Sequence, residues 1–149
     1  MHDADILGVY LHRGSDSQSF LRVLAFEVLL KAALLSSRGA DARGHKYKEL
    51  WTQLPEAVRA RIMSVAVSRS PGHTDFSNVE KLLVWYQYIF AKARYSYEIY
   101  DGYTPEEMRE LGTSWEEIGA PVEEAVIQYW HEELYCLTEG LLAYVEEAL

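Results

Sequence analysis

Residues 77–101 constrain the fold of this chain more than any other stretch. Ser77 and Glu80 have the S-x-x-E spacing of a capping box, in which a hydroxyl and a carboxylate each satisfy a backbone N–H of the first helical turn. Val79, Leu82, Leu83, Tyr86, Ile89, Phe90, Ala93, Tyr97 and Tyr100 then recur at helical spacing, one apolar stripe over about six turns. No Gly or Pro interrupts the pattern, and Gly102 follows it. A stripe of that length has to be covered by other elements of the same chain or of a second one.

The rest of the sequence offers further helices to cover it. From Gln18 to Ser37, Phe20, Leu21, Leu24, Ala25, Val28, Leu29, Ala32 and Leu35 repeat at helical spacing, while Phe26, Leu30, Ala33 and Leu34 fill much of the other side. A helix apolar nearly all round is expected at the centre of a bundle. Residues 46–54 read as a short helix, and Pro55 at a first helical position opens another over residues 56–68. Thr104 with Glu107 and Ser114 with Glu117 repeat the capping-box form around two short segments, and Pro121 begins a last helix reaching toward Leu149. Gly140 within it costs about 1 kcal/mol relative to Ala, which predicts a bend or a close helix contact there. Period-2 alternation is absent. The expectation is an all-α chain: one compact helical bundle over residues 1–149, with two or three long helices and several short ones.

Charge divides the chain unequally. Residues 1–76 hold ten Lys/Arg against eight Asp/Glu, and residues 77–149 hold four against fifteen, which sums to the net −9. An anionic ligand is therefore expected on the first half, where Arg38, Arg43, Lys46, Lys48, Arg59, Arg61 and Arg69 face only Asp41, Glu49 and Glu56. Two differently solvated faces would produce the same imbalance. The lone Cys136 excludes an internal disulfide framework and a Cys-based zinc site. The five histidines include no i,i+4 pair, and no phosphate loop or dinucleotide fingerprint occurs. The reading is a cytoplasmic protein without metal, cofactor or membrane span.

Two polar features stand out against the apolar pattern. Glu27 and Lys31 are spaced i,i+4 with Glu first, the better orientation for an ion pair, and Lys31 falls on an apolar stripe. Either the lysine extends to the surface with Glu27 as its partner, or the two form a buried pair against the second long helix or a ligand. Farther on, Gln87, Arg94, Glu98 and Asp101 share one polar stripe. A half-buried Arg94 needs a defined anionic partner. Around it the tyrosines concentrate: Tyr86, Tyr88, Tyr95, Tyr97, Tyr100 and Tyr103 of the eleven in the chain. They suit either a helix–helix or subunit contact, or the stacking of bases.

Three segments in order carry a family resemblance. Residues 26–34, Phe-Glu-Val-Leu-Leu-Lys-Ala-Ala-Leu, place an acidic residue four before the Lys of a Leu-Lys-Ala core. Residues 44–51, Gly-His-Lys-Tyr-Lys-Glu-Leu-Trp, place a His ahead of the next helix, with Lys46-Tyr47 departing from the usual Asp-Leu. Residues 93–98, Ala-Arg-Tyr-Ser-Tyr-Glu, are similar to an Ala-Arg-Tyr-Pro-Tyr-Glu helix end. Over residues 18–101 the chain thus resembles a HEPN domain, of the higher eukaryote and prokaryote nucleotide-binding superfamily. Many members of that superfamily are metal-independent ribonucleases of toxin–antitoxin, anti-phage and RNA-processing systems. Their Arg and a His a few residues later meet a second copy at a dimer interface.

Carried onto this chain, the resemblance implies Arg94 as the phosphate contact, yet Ile99, Tyr100 and Asp101 stand where the motif histidine is due. Arg38 and His45 satisfy the spacing formally but lie ahead of the wrong helix. The resemblance further implies Glu27 and Lys31 facing Arg94 from the first long helix, with His45 entering from its loop in place of the absent histidine. Tyr95, Tyr97 and Glu98 would add ligand contacts. The expected partners are RNA or a nucleotide and a second copy of the chain, forming a homodimer. The reading from another class is a non-catalytic interaction module whose tyrosine-rich helix binds a protein partner.

Overall fold

The computed structural model describes residues 16–39, 41–92 and 101–148. Among them there are six α-helices and no strands: α1 (Asp16–Arg38), α2 (Tyr47–Gln53), α3 (Glu56–Arg69), α4 (Val79–Lys92), α5 (Pro105–Glu117) and α6 (His131–Ala148). A single 3₁₀ turn, Val122–Glu124, precedes the last helix. The all-α expectation is met. Residues 1–15 and the expected helix end at 94–98 lie outside the described residues.

Helix α6 packs along α3 and α1, and α1 in turn contacts α2 and α4. Val23, Phe26, Leu30, Ala33 and Leu34 are the positions of α1 that reach the core, following the 3–4 repeat of one helix face. Of the face named first from periodicity, Phe20, Leu24, Leu29 and Ala32 are partly buried against the core, while Val28 and Leu35 are exposed. A helix apolar all round carries no directional signal, and the partners alone decide which side is covered. Leu82, Leu83, Tyr86, Ile89 and Phe90 of α4 are buried, so the described part of that stripe is core as expected.

Helix boundaries follow local chemistry. Pro55 and Pro71 each hold the preceding residue extended, Leu54 at ψ 139° and Ser70 at ψ 132°, and this ends α2 and α3. Thr104 caps α5 with a complete box: its Oγ1 accepts from the Glu107 N–H at 3.2 Å, and Glu107 Oε2 accepts from the Thr104 N–H at 2.7 Å.

Three local expectations are corrected. Asn78, not Ser77, caps α4, its Oδ1 accepting the Lys81 N–H at 2.9 Å. Glu80 is drawn away from the box by Lys48, 2.6 Å distant. Ser114 starts no helix, because Met108, Leu111 and Trp115 continue one apolar face of α5 through it. Pro121 opens only the 3₁₀ turn, and α6 starts ten residues later at His131. The irregular stretch between them packs Ile127, Tyr129 and Trp130 against the core, residues that a helix from Pro121 would spread around its circumference.

Gly140 marks a close approach of α6 to α3. A Cβ there would lie 2.5 Å from the Ile62 carbonyl oxygen and 3.0 Å from Ile62 Cγ2. Replacing Gly140 by Ala gains about 1 kcal/mol of helix propensity but forces two helix backbones apart, at a cost of about 1–3 kcal/mol or more. The clash is with backbone, so it wins. G140A is expected to lower the urea midpoint; a raised midpoint would show that the two helices are not in this contact.

Candidate functional site

Glu27 is the buried charge around which the polar groups of the first half assemble. Its side chain is 5% exposed, on the inner part of α1. One turn later, Lys31 Nζ donates to Glu27 Oε1 at 2.8 Å while its own side chain remains 28% exposed. The lysine therefore does both things the sequence allowed: it pairs with a buried carboxylate and keeps its stem at the edge of the core.

The second donor arrives from the loop between α1 and α2. Gly44, at φ +86°, turns the chain in a conformation that side chains disfavour. The next residue, His45, places Nδ1 2.8 Å from Glu27 Oε1 and 3.0 Å from Oε2. Lys46 occupies the N-cap of α2 without a side-chain cap bond, so the histidine serves the carboxylate and not the helix end. Its ring stacks on Phe90 of α4, centroids 5.1 Å apart and planes at 22°. Tyr47, the first residue of α2, adds a third donor through its hydroxyl. The same hydroxyl lies 3.5 Å from the Val23 carbonyl, a weaker contact than one to a charged acceptor.

Burial pushes the Glu27 carboxyl up, but hydrogen bonds from Lys31, Tyr47 and His45 outweigh it and hold the group below the ordinary carboxylate range. Glu27 is thus ionised at neutral pH and can only accept. That fixes the histidine: Nδ1 carries a proton, and in the neutral ring the lone pair belongs to Nε2. With the side chain 59% exposed, the pair has the chemistry of a carboxylate-oriented general base open to solvent. Lys31 supplies a cation one turn away.

Of the residues expected in the site, the structure brings Glu27, Lys31 and His45 together. Arg94, Tyr95, Tyr97 and Glu98 lie outside the described residues. Tyr47 and Phe90 complete the cluster without having been read as site members. Tyr47 appeared only as a departure from a motif, and Phe90 as one more position of the apolar stripe.

The basic segment is less free than its composition implies. Lys46 pairs with Glu49 at 2.8 Å, Lys48 with Glu80, and Arg61 with Glu147 of α6. Arg38 donates to the Gln53 carbonyl at 3.3 Å. Glu80 and Glu147 come from the acidic half, so folding cancels part of the imbalance along the chain.

Cys136 is buried, and burial together with Glu133, Glu132 and Glu139 pushes its thiol up, away from the reactive thiolate. Among the described residues no group of three or more His, Cys, Asp or Glu is placed to hold a metal ion. Nor is any described helix long and apolar enough to cross a membrane. Comparison of the chain with protein families, curated proteins and solved structures returned no match.

The depressed Glu27 pKa links stability to pH with a definite sign. Its contribution is complete above the unfolded value of about 4.3 and is lost as pH falls through the lower folded value. Glu27→Gln keeps an acceptor and removes the charge. Because Lys31 and His45 both reach solvent, its cost at pH 7 is expected to be about 1–2 kcal/mol. Urea denaturation at pH 7 and in the acid range tests this: the gap between parent and variant should shrink as the pH is lowered, and a constant gap would contradict it.

Proposed function

We propose that this chain is a HEPN-like helical domain that binds RNA or a nucleotide-like anion, using the surface on which His45 stands. The single observation that carries the reading is the buried Glu27 carboxylate holding His45 by Nδ1, with Lys31 on the same oxygen. A cation, an oriented imidazole and a flanking aromatic ring suit a phosphate and its base. The segments bearing Glu27 and His45 are also two of the three that resemble the superfamily; Arg94, in the third, is the proposed phosphate contact.

The same arrangement defines how RNA cleavage would run here. His45 Nε2 takes the proton of a ribose 2′-hydroxyl, the freed oxygen attacks the adjacent phosphorus, and the 5′-oxygen leaves with a proton returned by the imidazolium. His45 would thereby occupy in space the role of the histidine missing after Arg94, since reach and orientation define an acid–base group and sequence order does not. A homodimer and a place in a defence or toxin–antitoxin system rest on the resemblance alone.

A second reading, a non-catalytic protein-binding module, is favoured by α4. Its Val84 and Tyr88 are exposed, and the Trp85 and Tyr88 rings meet edge to face with centroids 5.6 Å apart. The two readings part on salt dependence. Phosphate contacts release counterions and weaken steeply with salt, whereas an aromatic protein contact changes little.

Labelled RNA incubated with the purified protein at low and high salt tests the proposal. Binding should fall with salt, and Arg94→Ala should weaken it at both concentrations. Any cleavage should drop by about 10²-fold or more in His45→Ala. Binding that is absent, or cleavage that survives both substitutions, would leave the protein-binding module as the better account.

A further inference from the structure

Helix α5 turns its apolar side toward a short irregular wall of the chain. Met108, Leu111, Trp115 and Ile118, three and four residues apart, share one face. Val126 and Ile127 stand opposite, and together they line a cleft of about 450 Å³. The Trp115 indole N–H ties the two walls by donating to the Pro121 carbonyl at 2.7 Å. No residue of α5 is buried, and Leu111, Val126 and Ile118 are exposed, Ile118 by 61%. Bulky apolar groups left accessible beside a formed cleft are the mark of an interaction surface.

The charges around the cleft select the partner. Residues 105–127 hold seven glutamates and a single basic residue, Arg109. Arg109 is taken by Glu106 at 2.6 Å, and Glu107 by the Thr104 box. Glu110, Glu116, Glu117, Glu123 and Glu124 are exposed, and among the described residues no cation pairs with them. Glu124 stands in the lining of the cleft itself. Beside it lies a second cavity of about 320 Å³, lined by Glu107, Glu110 and Tyr103, which shares Leu111 and Ser114 with the apolar cleft. An apolar site and a carboxylate-lined site thus meet at one leucine. That juxtaposition fits an apolar side chain with a lysine or arginine close to it, and Tyr103 offers a ring to the cation. Nucleic acid and anionic lipid carry the wrong charge for this face, and a second copy would bring glutamates against glutamates.

We propose that the α5 cleft docks a basic amphipathic helix of another protein. The apolar residues of that helix enter between Leu111, Ile118 and Val126, and its lysines or arginines meet the Glu110 and Glu124 carboxylates. The surface is separate from the Glu27–His45 pair and from Val84 and Tyr88 of α4, and it would stand if the RNA reading failed.

Titration calorimetry of the full chain with a synthetic Leu–Lys peptide of amphipathic helical pattern tests it, with the same peptide carrying Glu in place of Lys as the control. Saturable binding is expected for the Lys peptide alone. The exposed Ile118→Ser should weaken it about tenfold or more, through the lost apolar contact. Glu110→Lys combined with Glu124→Lys should do the same while leaving the apolar wall intact, through like-charge repulsion. Absence of saturable heat, equal affinity for the two peptides, or affinities of both variants within about twofold of the parent overturns the proposal. So does a loss confined to Val84→Ser, which would move the peptide to α4. Sedimentation of the chain alone and flotation with phosphatidylcholine vesicles test the other occupants. Self-association or vesicle binding that Ile118→Ser abolishes would give the cleft to a second copy or to lipid, and overturns the proposal as well.

Discussion

The described fold depends on how one buried carboxylate is satisfied. Glu27 sits on the helix that contacts α2, α4 and α6, where an unpaired charge would cost several kcal/mol. Its donors come from its own helix, from the following loop and from the start of α2. Satisfying it therefore fixes where the chain returns after α1, and with it the position of α2. Around this polar centre the rings close ranks: Phe26 meets Tyr47 and Tyr86 at 5.8 Å, and Phe90 meets Phe20 at 5.6 Å and His45 at 5.1 Å. Through the His45–Phe90 stack the aromatic cluster meets the polar group at its edge.

The other half of the packing has a different origin. α3 and α6 approach until the Gly140 backbone lies against the Ile62 carbonyl, a contact that depends on the absence of a side chain. Tyr86 connects the two halves, its hydroxyl donating to the Trp130 carbonyl at 2.8 Å just ahead of α6. Burial pushes that hydroxyl well above its ordinary value, and Glu133 adds to the rise; it remains a neutral donor. α5 stands apart, with none of its residues buried. Its stability comes from the Thr104 box and from Trp115, whose indole N–H donates to the Pro121 carbonyl at 2.7 Å.

Signals that act over one turn were legible in the sequence. The Thr104–Glu107 box, the helix start at Pro55 and the helical spacing of α4 all involve neighbours within about four residues, and each appears in the structure. Failures arose where a distant group competed. Glu80 has the right spacing to cap with Ser77, but Lys48 of another helix holds its carboxylate. Within the candidate site, Glu27 and Lys31 were legible as an i,i+4 pair. Tyr47 and Phe90 were not, because their roles depend on helices that meet only after folding.

By itself, then, the sequence determined an all-α chain, the position of most helices and the polar pair on α1, since these follow from 3.6-residue periodicity and local hydrogen bonding. Tertiary structure decided which face of α1 is buried, that His45 serves Glu27 instead of capping α2, and that acidic residues of the second half neutralise lysines and arginines of the first. Each of those outcomes depends on side chains far apart in the chain competing for the same partner. Only the packed arrangement of helices sets the distances that decide such a competition.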